Sequence, residues 1–193
     1  MIYHWWLDQK VSNGYAYAAN IFTPEELASI IQIGLDPNLS SFETSLVSGE
    51  KDESYRSCET SFIRSDIDSN KWIFRKLTDV IFEINRQYFN FDLDYIQNLQ
   101  FTSYEVGDKY RKHTDTSSLA ERPRKLSFII QLSEETSYKG GEFKLYYSDE
   151  PYIAEKKIGT LTAFPSYALH EVDSVTEGHR YSLVGWVCGP SFR

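Results

Sequence analysis

Hydrophobic and polar positions follow two rhythms along this chain, and the change falls near residue 92. Early on, Thr23-Pro24-Glu25-Glu26 reads as a capping box with proline at the first helical position. Leu27, Ile30, Ile31 and Leu35 follow at helical spacing, and Gly34 marks the end of that helix. A second helix is predicted from a cap at Asp68, Ser69 or Asn70 to about Phe89. Its apolar stripe is Ile73, Leu77, Val80 or Ile81, Ile84 and Tyr88. Between the two, residues 36–55 are polar and without period, which predicts a mobile loop, and residues 55–63 read as one strand. Trp5 and Trp6 read as plugs on the outer face of a sheet, or as an exposed binding patch.

Beyond residue 92 the helical period disappears. Short strand-like runs recur at 95–104, 109–113, 125–132, 142–147, 159–163, 168–172 and 180–187. Gly140-Gly141, Ser148-Asp149-Glu150-Pro151 and Glu177-Gly178 punctuate them as turns. Two helices followed by such strands predict an α+β, mainly β fold. The expected architecture is a double-stranded β-helix, jelly-roll or cupin-like, with the N-terminal helices packed on one sheet. No repeat, linker or low-complexity tract interrupts the pattern, so one domain is expected over 1–193. Residues 1–91 would be its helical support and 92–193 its jelly-roll core.

Composition narrows the function without naming it. A net charge of −8 and an aromatic share of 16% suit a β-rich protein with an acidic surface. Such a surface argues against binding to a phosphate backbone, so no nucleic-acid partner is expected. Cys58 and Cys188 stand far apart without C-x-x-C spacing, which fits reduced thiols in a cytoplasmic protein. No run approaches the roughly 20 apolar residues of a membrane helix, and the first residues lack the layout of a signal peptide. A soluble protein with no membrane partner is therefore expected, its oligomeric state open.

The chemistry concentrates in Tyr104 to Asp115, YEVGDKYRKHTD. On an extended strand His113 and Asp115 project from one face, with Thr114 turned away. His170 offers a third ligand from the strand-like run YALHEV. Two histidines and one carboxylate form the facial triad of non-haem Fe(II) oxygenases, which leaves coordination positions open. Many such enzymes draw two electrons from 2-oxoglutarate, whose distal carboxylate needs a cation. Arg180 opens the next strand-like run, and its planar fork suits a carboxylate, although a surface arginine would also fit there. Strand parity places Arg180, Ser182, Val184 and Trp186 on one face.

The string YEVGDKYRKHTD resembles the Tyr-x-x-Gly-x-x-Tyr-x-x-His-x-Asp motif of the prolyl 4-hydroxylase superfamily of Fe(II)/2-oxoglutarate dioxygenases. RKLSFIIQLSEETSYKGGEF, FPSYALHEVDSVTEGHR and GWVCGPSFR look like its PKHD-type branch, and YRSCETSFI is similar to an early strand of the superfamily. The resemblance covers about residues 55–193. It implies that His113, Asp115 and His170 hold Fe(II) and that Arg180 anchors 2-oxoglutarate. Tyr104 would add a hydroxyl to that carboxylate, or serve as a core tyrosine. Trp186 would wall the pocket, or simply pack. Tyr110 and Arg124 match positions that face the substrate, with a solvated charge as the alternative for Arg124. Gln131 departs from the family, whose members often carry an aromatic or apolar residue there. The loop from Thr114 to Pro123 would flank the mouth as a substrate lid or an ordinary exposed loop.

The implied reaction consumes O2 and 2-oxoglutarate, releases succinate and CO2, and draws on Fe(II) with ascorbate as an auxiliary reductant. By resemblance its substrate is a prolyl residue in a peptide or protein. A free amino acid or other small metabolite is the alternative, and a metal-free β-barrel binding module is the competing non-enzyme reading. His4 and His179 carry no expected role.

Overall fold

The order in which the strands are laid down decides where a site can form. The computed structural model describes residues 14–43, 55–116 and 122–191. In chain order these are β1 (Ala16–Ala18), α1 (Pro24–Leu35), β2 (Ser40–Glu43), β3 (Arg56–Ser57) and β4 (Glu59–Ile63). Then come α2 (Lys71–Ile84), β5 (Tyr95–Ile96), β6 (Leu99–Tyr104), β7 (Lys109–His113) and β8 (Arg124–Gln131). The last are β9 (Tyr138–Gly140), β10 (Phe143–Tyr146), β11 (Tyr152–Ile153), β12 (Leu161–Pro165), β13 (Leu169–Val172), β14 (Val175–Gly178) and β15 (Arg180–Cys188). The major sheet runs β1-β12-β8-β15-β6-β4-β2, with β5 also on β15, and the minor sheet runs β11-β10-β13-β7-β3. All pairings are antiparallel, as expected of a double-stranded β-helix.

The helices cover one face of the major sheet. The capping box at Thr23 forms as predicted: Glu26 N–H donates to Thr23 Oγ1, and Thr23 N–H to the Glu26 carboxylate. The buried stripe of α1 is Leu27, Ile30, Ile33 and Gly34, whereas Leu35 is exposed. Gly34 stands one residue before the helix end at Leu35, close to where it was expected. It lies against the Phe101 ring, where a Cβ would come within 2.3 Å of Phe101 Cγ. Helix α2 buries Ile73, Leu77, Ile81 and Ile84, and a final wide turn carries it through Phe89. Each such side chain contributes roughly 1.5–3 kcal/mol through burial. No side chain caps α2; the predicted cap residue Asn70 instead donates from Nδ2 to the carbonyls of Leu39 and Arg64.

Other expectations change in the three-dimensional setting. Part of the stretch read as a mobile loop, Ser40–Glu43, pairs with β4 at the edge of the major sheet. The strand read as continuous over 55–63 breaks at Cys58: β3 joins the minor sheet and β4 the major one. The chain thus crosses between sheets where the sequence shows only alternation. Gly140 and Gly178 close the short strands of a separate β9–β14 ribbon, with φ of 72° at both, a region open to glycine. Trp5, Trp6 and His4 lie outside the described residues, as do residues 117–121 of the loop after Thr114. Among the described residues no helix is long and apolar enough to cross a membrane.

Candidate metal centre and cavity

Strands β7 and β13 bring the two histidines together, because His113 and His170 are direct partners in the antiparallel register. Their rings lie 4.1 Å apart, and the register shifts just after His170. Asp115 stands two residues past His113, beyond the end of β7. Its N–H donates to Ser166 O at 2.8 Å, which fixes the turn of the chain. Its carboxylate then reaches both rings: Oδ1 is 3.8 Å from His113 Nε2, and Oδ2 is 3.5 Å from His170 Nε2. The three ligand atoms all lie within 4.8 Å of one another.

The donor set fits a divalent metal. His113 Nδ1 faces Arg111 O at 2.8 Å and His170 Nδ1 faces Ala168 O at 2.9 Å. A carbonyl only accepts, so each Nδ1 carries the proton and each Nε2 presents a lone pair inward. Burial and then the neighbouring His170 push the His113 pKa down to about 4, keeping this ring neutral near pH 7. Two lone pairs and a carboxylate then converge with no proton between them, and a cation resolves the repulsion. Ser127 Oγ donates to Asp115 Oδ2 at 2.8 Å and also meets Ser166 Oγ at 2.9 Å, so the carboxylate is oriented from behind.

A cavity of about 250 Å³ opens beside the cluster, between the two sheets. Tyr104, Tyr110, Arg124 and Trp186 all line it with the three ligands. Tyr110 stacks on His113 at 3.6 Å, and the Arg124 guanidinium lies 3.7 Å above the Trp186 ring while its Nε donates to Gln97 Oε1. Burial raises the Tyr104 phenol pKa far above its usual value, so the hydroxyl stays a donor. Arg180 is not among the lining residues. It is 0% exposed and pairs across the sheet with Tyr104, its guanidinium 5.1 Å from that ring. It is a buried cation rather than the surface arginine the sequence also allowed.

Arg180 is held but not neutralised. Its Nη2 donates to Gln131 Oε1 at 3.1 Å and its Nη1 to Ser182 Oγ at 3.4 Å, while Nε has no acceptor. Both partners are neutral, and a buried charge normally demands an opposite one. This orphaned donor fits an anionic ligand group, as the distal carboxylate of oxoglutarate would be. Parity holds as predicted, since Val184 and Trp186 line the cavity while Leu183 and Val187 enter the helix-side core. His179 points the other way and meets Ser103 Oγ at 2.7 Å.

Residue patterns missed four contributors. Ser127 and Ser166 carry no motif of their own, and only the hydrogen bonds that link them to Asp115 reveal them. Gln131 stood out as a departure from the family, and it proves to be a partner of Arg180. Arg56, a charge between Tyr55 and Ser57 in a strand, lines the cavity with its guanidinium 4.5 Å from the Tyr110 ring.

A pair of sheets with two histidines, a carboxylate and a buried cation defines a mononuclear metal-dependent oxygenase type of site. Residues 99–188, which carry all three candidate ligands and Arg180, match the family model of the 2OG-Fe(II) oxygenase superfamily. A PKHD-type hydroxylase of Picosynechococcus sp. is 36% identical over 92 residues, which span 48% of this chain and 42% of that protein. Another from Rippkaea orientalis is 34% identical over 95 residues, covering 48% and 43%. The matches thus span less than half the length of these curated relatives. Among solved structures, a Pseudomonas putida prolyl-4-hydroxylase superposes with a TM-score of 0.74 at 20% identity, over 92% of this chain and 94% of that one. A Trichoplax adhaerens prolyl hydroxylase in complex with a hypoxia inducible factor peptide fragment gives 0.75 at 18%, over 92% and 84%. At these identities the structural likeness establishes the fold.

Proposed function

We propose that this chain is an Fe(II)- and 2-oxoglutarate-dependent hydroxylase, with His113, Asp115 and His170 as metal ligands and Arg180 as the oxoglutarate anchor. The observation that carries this reading is the pairing of a preorganised three-ligand cluster with a fully buried guanidinium that lacks an anion. When bound, Fe(II) and oxoglutarate supply the oxidising chemistry: O2 is consumed, a C–H bond becomes C–OH, and oxoglutarate leaves as succinate and CO2. The chain's own work is to place the groups. The carbonyls of Arg111 and Ala168 hold the imidazoles in their ligating tautomer, and Ser127 orients Asp115. Gln131 and Ser182 fix Arg180, the Tyr104 hydroxyl remains protonated to donate, and Trp186 closes the major-sheet wall. A shaped, water-poor cavity limits side reactions. Ascorbate would act outside these contacts as a reductant that restores the ferrous state.

For the substrate we infer a prolyl residue in a peptide or protein. Support comes from the prolyl hydroxylase folds, one of them with a peptide bound, and from Tyr110 and Arg124 standing at the cavity where a peptide would enter. The whole region would act as one domain, in the cytoplasm. Peptide length provides the test. Extending a proline-containing substrate by flanking residues is expected to raise kcat/KM at least tenfold, read by succinate formation and a mass gain of one oxygen. Proline alone serving as well as the longest peptide would sink the peptide reading and leave a hydroxylase of free metabolites.

A further inference from the structure

The cavity has more cation than the proposed chemistry uses. Arg56 and Arg124 line it beside a cluster whose one carboxylate is Asp115, Arg180 lies buried outside the lining, and among the described residues none of the three forms an ion pair. Two of its lining residues also have unmet donors, since Arg56 Nη2 and Trp186 Nε1 are buried N–H groups without an acceptor, as is Arg180 Nε beyond the lining. Oxoglutarate brings two carboxylates, one for the metal and one for Arg180. On that assignment neither carboxylate is given to Arg56.

Arg56 is held in a way that keeps its charge available. It is 9% exposed, its Nε donates to the thiol sulfur of Cys58 at 3.2 Å, and its guanidinium rests over Tyr110. A sulfur and an aromatic face are weak partners for a guanidinium, and neither neutralises it. Arg56 comes from the minor sheet, while Arg124 and Trp186 come from the major one. Arg56 Nη2 and Trp186 Nε1 therefore belong to opposite walls of one cavity. Separated donors of this kind suit a planar carboxylate, which accepts through two oxygens, better than a tetrahedral anion that needs several donors clustered on one side.

We propose that Arg56 recognises a carboxylate carried by the substrate itself, which makes the preferred substrate an anionic one: an acceptor whose own residue, or the residue next to it, bears a free acid. This rests on the assignment of Arg180 and the three ligands to oxoglutarate and metal, and adds the charge of the substrate to it. The protein as a whole carries a net charge of −8, so recognition of an anion would rest on local arginines rather than on long-range attraction.

The test uses the full chain loaded with Zn(II) and saturating oxoglutarate, and calorimetric binding of two probe pairs. The first pair is N-acetyl-L-proline against N-acetyl-L-prolinamide; the second is acetyl-Pro-Glu-amide against acetyl-Pro-Gln-amide. In the wild type, the acid of at least one pair should bind at least tenfold more tightly than its uncharged twin. Arg56→Gln should reduce that preference to less than twofold. Arg56→Lys, which keeps the charge but not the fork, should retain part of it and guards against a Gln variant that folds poorly. Equal binding within both pairs, no binding of either acid, or a preference that survives in Arg56→Gln would each overturn the proposal. A loss of oxoglutarate affinity beyond tenfold in Arg56→Gln would also overturn it, by making Arg56 the co-substrate's anchor. If the wild type binds no oxoglutarate, the underlying assignment fails; the acid-amide preference and its dependence on Arg56 are then read in the protein with metal alone, so the two claims fall separately.

Discussion

The two faces of the major sheet are built from the same strands and could hardly differ more. On β15, Leu183 and Val187 join the helix-side core with Phe101, Phe128 and Leu161, a surface whose buried Ser61 hydroxyl is satisfied by Gly34 O. Their alternates Arg180, Ser182, Val184 and Trp186 lie on the other face, where Val184 and Trp186 line the cavity and Arg180 and Trp186 carry buried N–H groups without acceptors. A period of two is enough to separate a face that stabilises from a face that binds. Polar atoms left unmet are costly in a buried setting, and a ligand that accepts from Arg180 Nε and Trp186 Nε1 would offset that cost.

Breaking the cluster should have the largest effect. His113→Ala, Asp115→Ala or His170→Ala is expected to lower iron-dependent oxoglutarate turnover at least a hundredfold while the metal-free protein melts within a few degrees of wild type. Succinate release and thermal denaturation measure the two sides, and near-full turnover in any of the three would remove that residue from the ligand set. Arg180→Ala comes next. Charge-assisted hydrogen bonds contribute roughly 1.5–3 kcal/mol each, so the oxoglutarate requirement should rise on the order of a hundredfold. Metal should still bind, and lysine should rescue in part because it keeps charge without the fork. An unchanged requirement would relocate the anchor.

The opposite face should answer in the opposite currency. Leu183→Ala is expected to lower unfolding free energy by about 2–5 kcal/mol through cavity formation, with oxoglutarate affinity of the folded fraction close to wild type. Denaturant unfolding and oxoglutarate titration together check it; a large affinity loss with little destabilisation would collapse the distinction between the faces. The pH response should be smaller. His113 in the folded protein is pushed from 6.5 to about 4, so between these values the unfolded chain binds more protons than the folded one. Stability of the metal-free protein should therefore rise with pH across that window and fall as pH drops through it, by on the order of 3 kcal/mol at most. His113→Asn should flatten the dependence between pH 4.5 and 6.5, and an equally steep curve in that variant would assign the effect to another group.

How much of this was legible depends on how local each signal is. The Thr23 capping box, the α2 stripe and the bounds of β7 are short-range patterns, and they form as expected. The H-x-D pair and the parity of β15 are local too, so the candidate ligands and Arg180 could be singled out without coordinates. What the chain withheld is long-range pairing. Residues 55–63 alternate as one strand would, yet Arg56 pairs with Tyr110 and Glu59 with Ser103, in different sheets. That crossing is what turns Arg56 into the cavity, and nothing near it in sequence announces it. The same holds for Ser40–Glu43, whose serines gave no apolar period because the strand sits at an edge. Gly34 was legible as special but not for its reason, since the ring of Phe101 that requires it lies far along the chain.

The central claim is that His113, Asp115, His170 and Arg180 form one site for metal and oxoglutarate together. Anaerobic titration of the full chain with Fe(II) and then oxoglutarate addresses it most directly, by watching for the weak visible charge-transfer band of the chelated co-substrate. A band that saturates at one equivalent of iron, needs oxoglutarate, disappears in His170→Ala and requires far more oxoglutarate in Arg180→Ala is the predicted result. A wild-type protein that binds iron without ever developing that band, or develops it equally in both variants, would contradict the account.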